Sequence, residues 1–261
     1  MAAHPPAALI TGASTGIGAT YADRLARRGY DLVLVARDRA RLNDVAGQLR
    51  ADTKRRIDVV QADLTSAADL RRVERRLAED DQIELLINNA GAALHGGFAG
   101  ADLDQQENLI QLNIVAMTRL TGAVIPRFLA RGSGSIVNLA SIVALAPEVP
   151  FGIYGATKAY ALSLSQSLQA ELGPRGIYVQ AVMPGATRTE IWQRSGRDVN
   201  ALKAVMEVGE MVDAALVGFD RKEPVTFPAL QEEIVWETFV AARQAMLPNL
   251  QKSNVAARYR G

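Results

Sequence analysis

The sequence predicts an α/β protein: one doubly wound parallel sheet with helices on both faces. Three observations carry that expectation. Short apolar runs recur along the 261 residues, stretches of helical period separate them, and no Pro/Gly/Ser-rich linker or fixed-period repeat divides the chain. Such runs are too short for helices and apolar on successive residues, as strands covered on both faces are. Strands alternating with helices imply right-handed crossovers, and hence a parallel sheet.

In order, the runs are Ala8 to Thr11, Leu32 to Ala36, Ile57 to Gln61, Leu85 to Asn88, Ile136 to Leu139 and Tyr178 to Met183. Among the intervening helical stretches, Ala67 to Leu77 sets Leu70, Val73 and Leu77 on one side and Arg71, Arg72, Arg75 and Arg76 largely on the other, which reads as a solvated face. Leu103 to Ala130 is a second, longer helical stretch. After Pro184 the rhythm changes, with an amphipathic stretch from Ile191 to Met211, a short strand at Val225 to Phe227, and a long helix from about Leu230 to Met246. These segments read as an elaboration of the same domain.

Composition excludes several classes of function. With 29 basic and 28 acidic side chains the net charge is +1, too small a field to make nucleic acid or an acidic membrane a default partner. Without cysteine there is no disulfide framework, thiolate metal site, iron–sulfur cluster or cysteine nucleophile. The two histidines, His4 and His95, serve a histidine-rich metal site or a Ser/His/Asp hydrolase poorly, and no metal is expected. Met1 to Ala8 lacks the basic and then apolar regions of a secretory signal, and the longest uncharged stretch, Leu85 to Ala101, is too short to span a bilayer. A soluble, cytoplasmic protein without a membrane span is expected.

Directly after the first strand stands Thr11-Gly12-Ala13-Ser14-Thr15-Gly16-Ile17-Gly18, followed by a helical stretch. Glycines there let the backbone turn sharply and approach a pyrophosphate seated at the positive end of a helix. The spacing is Gly-x-x-x-Gly-x-Gly, not the Gly-x-Gly-x-x-Gly of the common dinucleotide fingerprint. Together with Asn88-Asn89-Ala90-Gly91, Asn113, Ser141, Tyr154-Gly155-Ala156-Thr157-Lys158 and Pro184-Gly185 with Thr189, the loop resembles the short-chain dehydrogenase/reductase family in order and spacing over roughly residues 7 to 228. The resemblance implies a single Rossmann-type domain over 1–261, with a cofactor half at about 7–131 and a catalytic and substrate half at about 132–261 carrying a lid at about 188–211.

Tyr154 and Lys158 are four residues apart, so on a helix they project from one face a turn apart. A nearby ammonium favours the phenolate of a tyrosine whose reference pKa is about 10. Ser141 follows an apolar run, at the edge of a strand where open α/β sheets bind ligands. The resemblance implies that Ser141 orients the substrate oxygen against Tyr154, that Lys158 also holds the nicotinamide ribose, and that Asn113 fixes a water continuing the proton relay. The implied reaction is hydride transfer between a nicotinamide and a substrate carbonyl or carbinol carbon, with Tyr154 as acid or base.

The second strand ends in Ala36-Arg37, where an NAD-preferring site usually carries an acid. Arg37 offers a guanidinium to a 2′-phosphate, with Ser14 and Arg41 beside it, so NADP(H) is expected over NAD(H). If the Asp38 carboxylate faced the ribose instead, that preference would weaken or invert. Gly12, Thr15, Gly16, Ile17 and Gly18 are expected around the pyrophosphate. Asp63 and Leu64 are expected at the adenine, Asp63 alternatively serving as a helix N-cap; Asn89, Ala90 and Gly91 at the adenosine ribose; and Pro184, Gly185, Thr187 and Thr189 over the nicotinamide.

Ile142, Val143, Leu145, Val149, Phe151, Ile191, Trp192, Val199, Leu202, Val205 and Met206 come from segments that form the family's substrate cleft and lid. They fit a hydrophobic ketone or secondary alcohol, whereas Arg188, Arg194 and Arg197 fit an anionic tail such as an acyl-carrier or coenzyme A thioester. A cofactor-binding sensor or scaffold without turnover is a different reading, opposed by the full set Asn113, Ser141, Tyr154 and Lys158. Nucleotide-sugar epimerases and dehydratases use a similar tyrosine and lysine but resemble longer chains. The resemblance implies a homodimer or homotetramer, because the family's helices at Asn113 and Tyr154 pair across a two-fold axis; Ile114, Met117, Leu164, Leu168 and Leu172 are contacts or core there, and the helix around Val235, Trp236, Phe239, Val240 and Met246 is a second interface or a covered core helix.

Overall fold

The computed structural model describes residues 5–94, 96–196 and 198–260. His4, His95, Arg197 and the Arg194 side chain fall outside that description. Seven parallel strands form one sheet in the order β3-β2-β1-β4-β5-β6-β7. They are β1 Ala7–Thr11, β2 Asp31–Ala36, β3 Ile57–Gln61, β4 Ile83–Asn88, β5 Gly134–Leu139, β6 Ile177–Val182 and β7 Val225–Thr226. Strand order reverses between β1 and β4, which opens a crevice at their carboxyl ends.

Alternation along the strands sorts side chains into two cores. Ala8, Ile10, Leu32 and Leu34 join Tyr21 and Leu25 of α1 (Gly16–Arg27), Leu42 of α2 (Arg39–Thr53) and Met211 of α8 (Val208–Asp220). Ala7, Leu9, Val33 and Val35 meet Leu70, Val73 and Leu77 of α3 (Ala67–Glu79) and Leu120, Val124 and Phe128 of α5 (Met117–Arg131) on the other face. Asp38 and Ser66 cap α2 and α3 by accepting backbone N–H bonds. The basic face of α3 is solvated and paired, Arg72 with Asp69 and Arg76 with Asp58 and Asp80.

Two stretches depart from simple helical reading. Leu103 to Ala130 divides into α4 (Leu103–Ile110), a π-helical turn at Gln111–Ala116 and α5. This run is long and apolar enough to cross a membrane, yet Leu109, Met117, Leu120, Val124 and Phe128 along it are buried in the protein. The stretch from 191 to 211 is not continuous either: α7 (Ile191–Arg194) gives way to Gly196 at φ +76°, a 3-10 turn follows at Val199–Ala201, and Met206 pairs with Thr187 before α8 begins. Of the proposed subunit contacts, Met117 is buried, Leu172 of α6 (Gly152–Leu172) is buried, and Leu168 packs against the core.

A buried polar chain ties β4 and β5 to α5 and α6. The Asn88 amide donates to Asn138 Oδ1 at 2.9 Å and to Thr121 Oγ1 at 3.0 Å, and the Asn138 amide donates to Ser165 Oγ on α6 at 2.9 Å. All four side chains are buried, so each bond replaces a desolvated pole that would otherwise be unmet.

The chain divides into two compact units, Met1–Pro228 and Ala229–Gly261. All seven strands belong to the first. The second consists mainly of α9 (Glu233–Leu250), with a 3-10 turn at Ala257–Tyr259. None of the residues of α9 is buried.

Replacing Asn138 by alanine removes one of two acceptors of the Asn88 amide and the donor to Ser165 Oγ, which keeps only its bond to the Ala161 carbonyl. Urea unfolding is expected to show a loss of about 1–3 kcal/mol; a loss comparable to that of an exposed site such as Arg71→Ala would contradict the buried-chain account.

Candidate active site

The first turn after β1 is shaped by close backbone approach. Gly12 sits at φ +67°, and a Cβ there would lie 2.7 Å from Asn89 Nδ2 and 2.9 Å from Ala90 Cα. A Cβ on Gly18 would collide with the Gly12 carbonyl and lie 2.5 Å from Asn89 Nδ2. Gly18 therefore serves the fit of α1 against the turn and does not line the cavity, unlike Gly12, Ser14, Thr15, Gly16 and Ile17. Asn89 is a staple: its amide donates to the carbonyls of Thr11 at 2.8 Å and Gly12 at 3.2 Å. Thr11 answers from β1, its hydroxyl accepting from the N–H groups of Asn89 and Ala90 at 3.0 Å and donating to the Ile87 carbonyl. Thr15, at the N-cap of α1, makes no side-chain capping bond, so the first-turn N–H groups are not capped by it.

One cavity of about 1010 Å³ runs from this loop across the carboxyl ends of the strands. Arg37, Asp38, Asp63 and Leu64 line one end of it, as do Asn89, Ala90 and Gly91 further in. Asp38 lines the cavity while its Oδ1 accepts from the Arg41 N–H at 3.0 Å as the α2 cap. Arg37 is exposed and makes no ion pair among the described residues, whereas Arg41 pairs with Glu190 at 2.7 Å. Asp63 does not cap α3, which Ser66 does; its Oδ1 accepts from the Thr65 N–H and hydroxyl at 3.0 and 2.7 Å. Burial acts to raise the Asp63 pKa, but those bonds and the Arg37 charge outweigh it and hold the carboxyl below its ordinary value.

Ser141, Tyr154 and Lys158 meet on the same cavity wall. Ser141 closes β5, where its hydroxyl caps the short turn Ile142–Leu145 and reaches the Pro184 carbonyl at 3.3 Å and the Tyr154 phenol. Tyr154 and Lys158 project from one face of α6, with Nζ 5.8 Å from the phenol ring centroid. Nζ is buried and donates to the Leu139 carbonyl at 2.6 Å. Here the expected charge balance is reversed. Burial pushes the phenol up to about 12, opposed by the Ser141 hydrogen bond, and burial pushes the lysine down to about 8. Desolvation dominates both shifts, so the phenol stays in its neutral form.

Asn113 is not on the cavity wall. The π-helical turn carries it inward, where its side chain accepts from the Ala92 N–H and donates to the Ala92 carbonyl and the Thr157 hydroxyl, each at 3.0 Å. Its amide is thus committed to protein groups. Thr157 completes the link by donating to the Tyr154 carbonyl at 2.9 Å. The sequence reading passed over Thr11 and Thr157 as partners, although both stand inside the quoted motifs.

Pro184, Gly185, Thr187 and Thr189 also line the cavity. Trp192 Nε1 donates to the Thr187 carbonyl at 2.7 Å, which lays the indole along the wall. Ile142, Val143, Val149, Phe151, Ile191 and Leu202 join it, but Leu145, Val199, Val205 and Met206 do not. Leu94 and Leu112 take part instead. Arg188 is held by Glu207 at 2.7 Å and Asn200 at 2.8 Å and stays off the wall, so an anionic tail gains no support from it.

The sequence pattern of the short chain dehydrogenase family matches residues 6–200. The chain belongs to that family. As an oxidoreductase of the family, it superimposes on a short-chain dehydrogenase from Sphingobium yanoikuyae in complex with NADPH, with 57% identity, a TM-score of 0.96, and coverage of 98% of this chain and 100% of that one. A bulky-bulky ketone specific alcohol dehydrogenase from Comamonas testosteroni is 52% identical, with a TM-score of 0.91 over 98% of this chain and 99% of that one. A Staphylococcus epidermidis relative known only as an uncharacterized oxidoreductase is 33% identical over 80% of this chain and 88% of its own length.

If Asn89 staples the turn, Asn89→Ala should accelerate amide hydrogen exchange across Gly12 to Ile17 about tenfold, the equivalent of one net hydrogen bond. Unchanged exchange in that loop would show that the turn holds without it.

Proposed function

We propose that this protein is an NADP(H)-dependent oxidoreductase that interconverts a ketone and a secondary alcohol of a hydrophobic small molecule, with Tyr154 as acid and base. The observation that carries the reading is the placement of Ser141, Tyr154 and Lys158 on the same cavity as the Gly12 to Ile17 turn and Arg37.

The residues present fit the cofactor. Gly12 has no room for a Cβ, a Cβ on Gly16 would come within 3.2 Å of Thr189 Cγ2, and the N-terminus of α1 faces the turn without a side-chain cap. Ser14, Thr15, Gly16 and Ile17 would hold the pyrophosphate, with Gly18 seating the helix behind them. Arg37, exposed at the rim with no ion pair among the described residues, is the group for a 2′-phosphate, and the engagement of Asp38 as the α2 cap supports that reading. Asp63 and Leu64 would flank the adenine, Asn89, Ala90 and Gly91 the adenosine ribose, and Pro184, Gly185, Thr187 and Thr189 the nicotinamide. The complex of the Sphingobium yanoikuyae enzyme with NADPH supports this assignment.

Bound there, NADPH supplies the hydride. Ser141 accepts or donates at the substrate oxygen and fixes it beside the phenol. Tyr154 gives that oxygen its proton in reduction and takes it back in oxidation. A phenol raised to about 12 remains protonated at neutral pH, which suits it to be the acid of ketone reduction. The Lys158 ammonium steadies the phenolate left behind and is placed to hold the ribose. Asn113, through Ala92 and Thr157, positions both the loop after β4 and α6. The wall built from Leu94, Leu112, Ile142, Val149, Phe151 and Trp192 favours an apolar substrate on both sides of the carbonyl, and the ketone specificity of the Comamonas testosteroni relative agrees with that.

Tyr154→Phe is expected to lower kcat for reduction of an aryl alkyl ketone by at least about 100-fold, the lower end of general acid catalysis, while NADPH binding followed by fluorescence stays intact. NADPH binding without turnover by the unaltered protein, across a panel of bulky ketones, would instead support a sensor.

The pH profile has a definite sign. Lys158 is protonated below about pH 8 and neutral above it, whereas the phenol stays protonated to about 12. The kcat/KM for reduction should therefore fall above about pH 8, and Lys158→Arg should abolish that limb in whatever activity it retains. A profile flat through pH 10 in the unaltered protein would contradict the role given to the ammonium.

A further inference from the structure

We propose that Gln61, Asp69 and Arg72 are positioning residues for the adenosine 2′-phosphate end of the cofactor: bonded to one another, they fix the spacing between Arg37 and Asp63. The proposal deepens the NADP(H) reading above and rests on it. It starts from the place where the pairing of β2 with β3 stops. Their last register pair is Ala36 with Gln61, followed by a bond from the Ala62 N–H to the Ala36 carbonyl at 2.9 Å. One step further, side chains take over. The Gln61 amide donates to the Arg37 carbonyl at 3.1 Å, and Asp69 Oδ2 accepts from the Asp63 N–H at 2.9 Å. The two residues held in this way beyond the strand ends are the ones that the NADP(H) reading gives to the 2′-phosphate and the adenine.

Arg72 joins the two supports. One nitrogen of its guanidinium donates to Asp69 Oδ1 at 2.9 Å and another to the Gln61 carbonyl. Because β3 is the edge strand of the sheet, that carbonyl finds its donor in a side chain, and a planar fork suits the bridge from a carbonyl to a carboxylate. Arg37, Gln61, Asp63, Asp69 and Arg72 line one hollow of about 430 Å³, which shares Arg37 and Asp63 with the larger cavity. The linkage therefore lies directly behind the adenosine end. The Arg72 side chain is 49% exposed, and a pair so open to water adds little to the stability of the fold. What it supplies is geometry. Of the two guanidinium groups on the hollow, Arg72 is engaged by Asp69 and Gln61, which leaves Arg37 to meet the phosphate.

Calorimetric titration of the full chain with adenosine 2′,5′-bisphosphate and with adenosine 5′-monophosphate tests the two supports separately and needs no turnover. Gln61→Ala should weaken the bisphosphate about fivefold, the scale of one net hydrogen bond, and the monophosphate less than about twofold. Asp69→Ala should weaken both nucleotides alike, and Asp69→Asn, which keeps an oxygen for the Asp63 N–H, should recover most of that loss. Arg72→Ala should show both defects, and Arg72→Lys, which keeps the charge without the fork, should recover little. Arg71→Ala, an exposed arginine beside it on α3, should bind both nucleotides as the unaltered chain does. Full recovery in Arg72→Lys, or an Arg71→Ala defect equal to that of Arg72→Ala, would reduce Arg72 to a source of charge and overturn the proposal. So would normal binding of both nucleotides by Arg72→Ala alongside loss of the bisphosphate in Arg37→Ala, a result that leaves the NADP(H) reading standing. An unaltered chain that binds the bisphosphate no more tightly than the monophosphate would overturn both.

Discussion

The reversal of strand order between β1 and β4 is the constraint on which the rest of the site depends. Because neighbouring crossovers leave in opposite directions there, the carboxyl edge of the sheet cannot be closed by its own helices, and a crevice remains. The Thr11 hydroxyl and the Asn89 amide stitch the two strand ends across that crevice, holding the glycine turn against the loop after β4. The cavity follows from this stitch. So does the need for glycine at positions 12 and 18, where the approach is too close for a Cβ.

A second set of buried polar contacts seats α6, which carries Tyr154 and Lys158, on the same edge. Asn138 reaches Ser165, Lys158 reaches the Leu139 carbonyl, and Asn113 reaches Thr157, so α6 is fixed to β5 and to the π-helical turn at three levels. None of these bonds touches the reacting atoms. Together they determine where the phenol lies to within a rotamer, which is what hydride transfer demands of a protein whose cofactor carries the chemistry. Desolvation is the companion of that rigidity. It keeps the Tyr154 phenol neutral and makes Lys158 easier to deprotonate.

Much of this was legible before any coordinates. Apolar runs covered on both faces located the six long strands to within a few residues, since a buried parallel strand has no polar face to blur its ends. The glycine turn and the Tyr154, Lys158 pair were legible because their chemistry tolerates few residue types. Less legible was anything set by a particular hydrogen bond. That Asp38 caps α2 and that the Asn113 side chain is bonded to Ala92 and Thr157 could not be read from the sequence. The lid blurred for another reason: its apolar residues have helical spacing, but Gly196 and the pairing of Met206 with Thr187 break the helix, so only some of them reach the cavity. Arg188 could not be told from an anion ligand without seeing Glu207 beside it.

The claim at the centre is that one cavity delivers hydride from NADPH and a proton from Tyr154 to the same carbonyl group. Its most direct test is reduction of an aryl alkyl ketone with NADPH deuterated at the nicotinamide C4, followed by mass spectrometry of the alcohol. The account predicts one deuterium on the carbinol carbon for each NADPH consumed, with transfer lost in Tyr154→Phe. NADPH oxidised without label in the alcohol, or label transferred undiminished by Tyr154→Phe, would contradict it.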